Sequence, residues 1–328
     1  MNLDPIKEAV RQALTLCRKV QIKSIMSLNK ISTDKQYSEP VTIADYGAQA
    51  LIGRALAQHF PDDAVLSEEA GSQFLALTSD SQKAEIISLL THILDVNVLQ
   101  SDIVRWLDAG SDKTSDRTWI IDPIDGTKGF INMRHYAVGI GIIEKGQVAG
   151  AIMGTPLYDD DPEDENFGAL FYIENGKAYR QPLDNREAQV LRVSDRSENV
   201  RVVQSFEKKH ASKSRMANVR EKAGLTDAHI ENLDSMVKYA MVAAGDADVY
   251  MRLPNLNSTR PHMVWDHAPG VALVLAAGGM ATDVDGSPLD FSHGETLPNK
   301  GMLISNGKFH DKLVAATQKL LEEEAANA

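Results

Sequence analysis

The sequence predicts an α+β half followed by an α/β half. Apolar residues recur at helical spacing up to Gly110, strand-like runs dominate 119–180, and strands alternate with helices in the remainder. The chain has 328 residues, 43% of them hydrophobic, so it can bury the core of one large domain or of two packed halves. We expect the halves to meet in the polar stretch 181–199, which divides the chain into 1–190 and 191–328.

The first part of the chain is predicted to be mainly helical. A helix over 6–28 has one buried face, with Asp4 as its cap and Pro5 in its first turn. Cys17 belongs to this face and is expected to be a small buried hydrophobe. A second helix is expected to follow Asp45. Two further helical patterns occupy 81–94 and 97–109.

Strand patterns then follow one another closely. The runs at 119–121, 136–144 and 147–154, with a turn at Lys145-Gly146, indicate adjacent antiparallel strands. A hairpin is predicted over 169–180. In the second half, strand-like runs alternate with helical patterns, which is typical of an α/β arrangement. The strands are expected at 200–204, 247–252 and 301–305, and the helices at 211–223, 234–244, 266–277 and 308–324.

Charge and composition exclude several classes of protein. The 34 basic and 46 acidic residues give a net charge of −12, which would repel nucleic acid and anionic membrane surfaces. A single cysteine excludes an intramolecular disulfide, and no leader or apolar run of membrane-spanning length is found. The acidic run 159–165 lacks the ligand spacing of a calcium loop and is interpreted as a solvated loop. We expect a cytoplasmic protein, monomeric or a small homo-oligomer, with a small-molecule partner.

The most informative segment is Trp119-Ile-Ile-Asp122-Pro-Ile-Asp125-Gly-Thr127, where an apolar strand delivers two carboxylates into a tight turn. Magnesium prefers oxygen ligands, and the carbonyl of Ile124 could bind beside Asp122 and Asp125. Gly126 and Thr127 would then offer N–H groups and a hydroxyl to a phosphate. The alternative is an ordinary Asx-turn with two solvated aspartates.

Three further acidic positions lie where a strand or loop meets another element. Glu68-Glu69 follows a strand-like run, and Asp45 and Asp266 are each placed at the start of a predicted helix. Taken singly, Asp45 and Asp266 are better explained as helix caps, and Glu68-Glu69 could be a surface pair. Their combination with Asp122 and Asp125 favours a shared metal site.

Together these motifs resemble the inositol monophosphatase superfamily of lithium-sensitive magnesium phosphatases. Its signature is an acidic pair after a strand, a D-P-[IL]-D-G-T turn and a later W-D at a helix start, all present here in order. Within it, the chain is most similar to the 3′(2′),5′-bisphosphate nucleotidase family. That similarity rests on Pro40-Val-Thr-Ile-Ala-Asp45, Lys128-Gly-Phe130, Ser205-Phe-Glu-Lys208, Leu233-Asp-Ser-Met-Val-Lys-Tyr239, Asp248-Val-Tyr-Met-Arg-Leu-Pro254 and Trp265-Asp-His267.

The resemblance implies a layered sandwich of helices and two sheets and assigns roles to the acidic residues. Glu68, Asp122 and the Ile124 carbonyl would bind one Mg²⁺, and Asp122, Asp125 and Asp266 a second. A third Mg²⁺ near Glu68 is allowed. Asp45 would act with the Thr127 hydroxyl to orient and deprotonate the attacking water, because a threonine hydroxyl alone is a poor base.

The resemblance also implies a substrate. Gly126, Thr127 and Asp266 would contact it together with four residues of the second half: His210, Ser235, Lys238 and Arg252. The implied reaction converts adenosine 3′,5′-bisphosphate to AMP and phosphate, which is a step of sulfur metabolism. Adenosine 2′,5′-bisphosphate and 3′-phosphoadenylyl sulfate are further candidate substrates. An inositol polyphosphate 1-phosphatase and a catalytically silent nucleotide-binding protein remain as alternatives.

Overall fold

The computed structural model describes residues 1–28, 38–158, 168–184, 186–206, 213–255 and 261–327. The acidic run 159–165 and His210 therefore lie outside the described residues. Within the described ranges, none of the helices is both long and apolar enough to span a bilayer.

The four helices predicted for the first half are present with shifted ends, and two short helices, Gly71–Leu77 and Thr127–Ile131, were not predicted. The long first helix begins at Asp4 rather than after it, and the side chain of Asn2 accepts the Asp4 N–H at 3.0 Å. The second helix begins at Ser38, so the prediction that it starts at Asp45 was wrong. The helices are α1 (Asp4–Leu28), α2 (Ser38–His59), α3 (Gly71–Leu77), α4 (Asp80–Leu94), α5 (Gln100–Leu107) and α6 (Thr127–Ile131).

The first sheet has the strand order of the sequence. Only its first pair is parallel, and the strands that follow run antiparallel, as the short turns predict. Asn175 and Gly176 both have positive φ in the turn between two of these strands. The strands are β1 (Ala64–Ser67), β2 (Arg117–Asp125), β3 (Ala137–Glu144), β4 (Gln147–Thr155), β5 (Ala169–Glu174), β6 (Lys177–Pro182) and β7 (Gln189–Val190).

The second half alternates strands and helices as expected. Its main sheet has the order β12-β14-β10-β8-β9, and the crossovers make β8 parallel to both β10 and β9. A small ladder pairs β11 with β13. The elements are β8 (Arg201–Ser205), α7 (Lys213–Lys222), β9 (His229–Leu233), α8 (Val237–Ala244), β10 (Val249–Arg252), β11 (His262–Met263), α9 (Ala268–Ala276), β12 (Met280–Thr282), β13 (Thr296–Leu297), β14 (Met302–Ser305) and α10 (His310–Ala326).

Three apolar cores separate the layers. In β2, Trp119 and Ile121 face the core beneath α1 and α2, whereas Ile120 faces the core that contains α8 and α9. In β10, Tyr250 faces that same middle core, and Met251 faces a third core with α7 and α10. The order of layers is therefore helix, sheet, helix, sheet, helix. This confirms the expected sandwich of helices and two sheets.

The middle helix layer joins the two sheets closely. α9 packs on β3 and β4. Pro269 lies in the first turn of α9, where a backbone N–H would have no partner within the helix, so the proline costs no hydrogen bond there. Gly141 of β3 faces this helix, and a Cβ there would lie 3.0 Å from the Cβ of Ala268. The start of α9 is thereby pressed against the first sheet, which brings Asp266 towards the end of β2.

Candidate active site

A register shift at the end of β2 places the carboxylates of Asp122 and Asp125 in the same region. Asp122 pairs with Gly139 and Asp125 with Ala137, so the ladder is irregular between the two aspartates. Asp122 is 2% exposed, and its Oδ1 accepts the N–H of Ile124 at 3.1 Å. The Asx-turn of the alternative interpretation is thus present, but Asp122 is buried rather than solvated.

The turn after β2 depends on Gly126. Its φ of 89° lies in the left-handed region, and a Cβ there would meet the Cβ of Ser235 at 2.7 Å. Asp125 accepts the backbone N–H of Met236 on the same neighbouring turn. The short helix α6 begins directly afterwards at Thr127. Glycine therefore lets the strand end of the first half press against the 233–236 turn of the second half.

Asp266 completes an acidic group at this junction. One carboxylate oxygen from each of Asp122, Asp125 and Asp266 lies within 4.8 Å of the others, which is a spacing that could hold a metal ion. The N-cap residue of α9 is His267, so the interpretation of Asp266 as a helix cap was wrong. An all-oxygen donor set of this kind fits a hard cation such as Mg²⁺.

Glu68 and Asp45 lie beside this group. The Glu68 N–H donates to the Ile121 carbonyl at 3.2 Å, which continues the parallel β1–β2 ladder, and its side chain hydrogen bonds to Asp122. Asp45 is in the interior of α2 and is only 9% exposed, so the cap interpretation was wrong for this residue also. The structure thus brings five acidic residues from four separate segments of the chain into one region.

The pKa values show that this region holds more negative charge than it can stabilise alone. Burial, with the added charge of Asp266, raises the pKa of Glu68 and of Asp125 to about 7 each. Burial and the neighbouring carboxylates raise the pKa of Asp122 and of Asp45 well above the ordinary range. A bound cation would relieve this repulsion, so the donor set and its electrostatics both fit a metal ion.

A cavity of about 240 Å³ opens beside the acidic group. Every predicted substrate contact in the described part of the chain lines it, so the cationic residues of the second half line the same cavity as the aspartates. These residues are Gly126, Thr127, Ser235, Lys238, Arg252 and Asp266, and Asp125 lines it with them. The structure thus combines an acidic wall and a basic wall in one cavity, an arrangement suited to a metal-bound phosphorylated ligand.

Lys238 is held firmly on the basic wall. It is 5% exposed, and its Nζ donates to the carbonyls of Ser235 and Leu233, the latter at 3.2 Å. Burial lowers its pKa to about 8, although Asp125 opposes this shift. Ser235 itself has a φ of 64°, so the turn that precedes α8 and Lys238 is backbone-strained.

Several cavity residues were not singled out from the sequence. Tyr239, Tyr250 and His267 also line the cavity, and the Tyr239 hydroxyl lies 2.8 Å from Nδ1 of His267. Burial keeps the pKa of His267 well below its usual value, so the ring is neutral at pH 7. All three residues stand inside motifs quoted above, but only the fold reveals which side chains face the cavity. Phe206 is a further lining residue that sequence reasoning missed.

Comparison with known proteins agrees with these motifs. The model of the inositol monophosphatase family matches residues 3–322. A 3′(2′),5′-bisphosphate nucleotidase of Emericella nidulans is 34% identical over 96% of this chain and 96% of its own. A probable 3′(2′),5′-bisphosphate nucleotidase 4 of Arabidopsis thaliana is 32% identical over 98% of this chain and 96% of its own. A 3′(2′),5′-bisphosphate nucleotidase 1 of Candida albicans is 31% identical over 95% of this chain and 93% of its own.

Solved structures share the fold at lower identity. The extragenic suppressor protein suhB of Bartonella henselae has a TM-score of 0.60 at 20% identity, with 96% of this chain and 97% of that chain covered. CysQ of Bacteroides thetaiotaomicron, described as a bacterial member of the inositol monophosphatase family, has a TM-score of 0.58 at 22% identity, with 93% and 98% covered. Since the family model and the relatives both extend over nearly the whole chain, this protein belongs to the inositol monophosphatase family.

Proposed function

We propose that this protein is a magnesium-dependent phosphatase that converts adenosine 3′,5′-bisphosphate to AMP and phosphate. The observation that carries the proposal is the cavity itself, in which the cations Lys238 and Arg252 share the lining with Asp125 and Asp266 of the acidic group. One wall fits a metal-bound phosphate that reacts, and the other fits a second phosphate that does not. Relatives named as 3′(2′),5′-bisphosphate nucleotidases support this assignment.

The acidic wall is assigned as the metal site. Glu68, Asp122 and the Ile124 carbonyl would hold one Mg²⁺, and Asp122, Asp125 and Asp266 would hold a second. A third Mg²⁺ near Glu68 belongs to the same proposal. The chemistry that two such ions would supply is stabilisation of the charge on the attacking and leaving oxygens of a phosphoryl transfer.

Asp45 and Thr127 are assigned to the attacking water. The raised pKa of Asp45 makes it a better proton acceptor than an exposed aspartate, because its charged form is poorly hydrated. The Thr127 hydroxyl at the cavity wall would orient the water. The water oxygen forms a bond to phosphorus as the bond from phosphorus to the 3′-oxygen breaks, and a proton ends on that leaving oxygen.

The basic wall is assigned to the phosphate that is not cleaved. Arg252 and Lys238 would pair with it, and Ser235 and His210 would complete the contacts to the nucleotide. Gly126, Thr127 and Asp266 would contact the reacting phosphate. Adenosine 2′,5′-bisphosphate and 3′-phosphoadenylyl sulfate each carry one phosphate on a ring hydroxyl of the ribose and a second anionic group at the 5′ position, and they are proposed as further substrates.

The test is phosphate release with Mg²⁺ from adenosine 3′,5′-bisphosphate, inositol 1,4-bisphosphate and inositol 1-phosphate, measured side by side. The proposal expects the highest kcat/KM for the nucleotide. Faster turnover of inositol 1,4-bisphosphate would favour an inositol polyphosphate 1-phosphatase. Tight nucleotide binding without turnover would identify a silent binding protein.

Three further assignments accompany the function. We place the boundary of the two halves near residue 190, since β7 still pairs with β6 in the first sheet and β8 begins the second. A cytoplasmic location and a monomeric or small homo-oligomeric state are proposed with it. The net charge of −12 supports a small-molecule partner over nucleic acid or a membrane surface.

A further inference from the structure

Phe206 is a large aromatic residue that lines the cavity, and its side chain is about half exposed. It directly follows β8, is 48% exposed, and lines the cavity together with Ser235, Lys238 and Arg252. A scattered exposed apolar residue needs no explanation on an ordinary surface. Phe206, however, lines the same cavity as the charged and hydroxyl side chains proposed to bind a nucleotide.

One face of the Phe206 ring is fixed by a cation. The guanidinium carbon of Arg134 lies 4.4 Å from the ring centroid, and Arg134 Nε donates to Asp234 Oδ2 at 2.7 Å. Asp234 is itself buried, so the guanidinium has a rigid anchor. A cation held over one face orients the ring and draws π density towards that side. The rest of the ring is then suited to stack on a flat aromatic ligand.

The ring and the proposed phosphate site share one backbone anchor. The carbonyl of Leu233 accepts the Phe206 N–H at 3.1 Å and Nζ of Lys238 at 3.2 Å. The same segment pairs with β8 through Ser205 and Leu233. A ligand whose phosphate pairs with Lys238 therefore has the Phe206 ring as a close neighbour.

We infer that Phe206 is a specificity-determining residue whose ring stacks on the base of a nucleotide substrate, with Arg134 and Asp234 as the residues that position it. The inference rests on the proposed function and deepens it. An inositol polyphosphate has no aromatic face and gains nothing from such a platform. A nucleotide gains a stacking contact of the kind that single-stranded nucleic acid makes with exposed aromatic side chains.

The test compares two substrates that differ only by the base. kcat/KM is measured for adenosine 3′,5′-bisphosphate and for base-free 1-deoxyribose 3,5-bisphosphate, with wild type, Phe206→Ala and Phe206→Tyr. Phe206→Ala should lower kcat/KM for the nucleotide by roughly 5- to 150-fold, chiefly through KM, and change the base-free substrate by less than about 2-fold. Phe206→Tyr should keep most of the wild-type preference, and Arg134→Gln should lose part of it. Leu77→Ala, at an exposed position on α3, is the matched control.

Equal losses on both substrates, or no loss on the nucleotide, would overturn the inference, because either result gives the ring no role towards the base. A second readout separates this from failure of the proposed function. Calorimetry measures the affinity of each variant for AMP and for ribose 5-phosphate, neither of which requires turnover. A wild type that cannot hydrolyse the bisphosphate refutes the proposed function. The AMP preference over ribose 5-phosphate, and its loss in Phe206→Ala, still decides the role of Phe206.

Discussion

At the scale of single residues, burial decides what each acid at the site can do. Asp45 and Asp266 occupy positions that resemble helix caps in the sequence, yet neither is a cap in the fold. Asp45 lies inside α2 with a raised pKa, and Asp266 approaches Asp122 and Asp125. A cap is solvated and binds its own backbone, whereas Asp266 lies beside Asp122 and Asp125, and Asp45 lies near Glu68 and Glu69. Their proximity is costly without a cation, which is why it indicates a functional site.

Replacing Asp122 with Asn should lower kcat by more than about 100-fold, since it removes the carboxylate proposed to bridge both metals. The Asx-turn should survive, because the amide oxygen of Asn can still accept the Ile124 N–H. Phosphate release from adenosine 3′,5′-bisphosphate measures the loss, and far-ultraviolet circular dichroism checks the fold. Asp112→Asn, on an exposed turn, is the control. Near-normal turnover in Asp122→Asn would remove this residue from the metal site.

Replacing Arg252 with Ala should weaken use of the bisphosphate specifically. A charge-assisted hydrogen bond contributes about 1.5–3 kcal/mol, so kcat/KM for adenosine 3′,5′-bisphosphate should fall roughly 10- to 150-fold. Turnover of 3′-AMP should change much less, because it lacks the second phosphate. Arg105→Ala, at an exposed position in α5, serves as the control. Equal losses on both substrates would mean that Arg252 supports the fold or the reacting phosphate instead.

At the scale of elements, α2 and the loop after β1 are joined by one side chain. Gln49 is buried in α2, and its amide accepts the Glu69 N–H at 2.9 Å and donates to the Glu69 carbonyl. The same amide nitrogen donates to Ser67 Oγ at 3.0 Å. Gln49 lies one helical turn after Asp45, so this clamp fixes Glu68 and Glu69 relative to the proposed base.

Gln49→Ala should therefore loosen the acidic loop. The Glu69 N–H loses its partner, and the Glu69 carbonyl keeps only the Ser67 hydroxyl at 3.2 Å. The free energy of unfolding should therefore fall by about 1–3 kcal/mol in urea denaturation. The Mg²⁺ concentration for half-maximal activity should also rise, because Glu68 is less well positioned. Gln73→Ala, at an exposed position in α3, should change neither quantity. A stability loss with an unchanged Mg²⁺ requirement would show that the clamp supports the helix alone.

Long periodic elements could be predicted from the sequence, and short ones could not. The helix at α10 and the antiparallel strands β3 and β4 were predicted within a few residues, because their apolar periodicity extends over several turns or pairs. The helix α3 and the strand β9 were missed. β9 has exposed residues on both faces, and its pairing with β8 is decided by tertiary contacts rather than by its own pattern.

The same distinction applies to the site. Asp122 and Asp125 were predicted because a strand and a glycine turn deliver them locally, and the resemblance supplied Asp266, which is far away in the chain. Phe206 and His267 could not be assigned from pattern alone, since each faces the cavity only because the two sheets sandwich α8 and α9. Residues that act together within one short segment can be predicted from their spacing in the sequence. Which side chains of a segment face the cavity depends on how the layers pack.

At the scale of the whole molecule, negative charge is spread over the chain and concentrated at the cavity. A protein with a net charge of −12 has no general attraction for an anionic substrate. An anionic substrate therefore needs a local positive potential at the cavity, which Lys238, Arg252 and the proposed metal ions would supply. Stability and metal binding are therefore coupled through protons, because each carboxylate at the site must be ionised to bind a cation.

This coupling determines whether the free energy of unfolding rises or falls with pH. The pKa values of Glu68 and Asp125 are raised to about 7, so the metal-free folded state holds protons that the unfolded chain releases at lower pH. Their contribution to stability is complete below their unfolded pKa values and is lost as the pH rises through about 7. The pKa values of His267 and His135 are lowered by burial, which gives the opposite slope below their unfolded pKa. A melting curve of the metal-free protein alone would mix these effects.

The difference between melting temperatures in Mg²⁺ and in EDTA isolates the site. His135 and His267 contribute similarly to both conditions, whereas Mg²⁺ competes with protons at the carboxylates. The stabilisation by Mg²⁺ should therefore be small near about pH 6 and grow towards about pH 8, as Glu68 and Asp125 lose their protons. Scanning fluorimetry at a fixed ionic strength measures it, with Ca²⁺-free buffers and potassium chloride as the salt control. Asp122→Asn should abolish most of the difference at every pH. A Mg²⁺ effect that is independent of pH would show that the ion binds elsewhere than at these carboxylates.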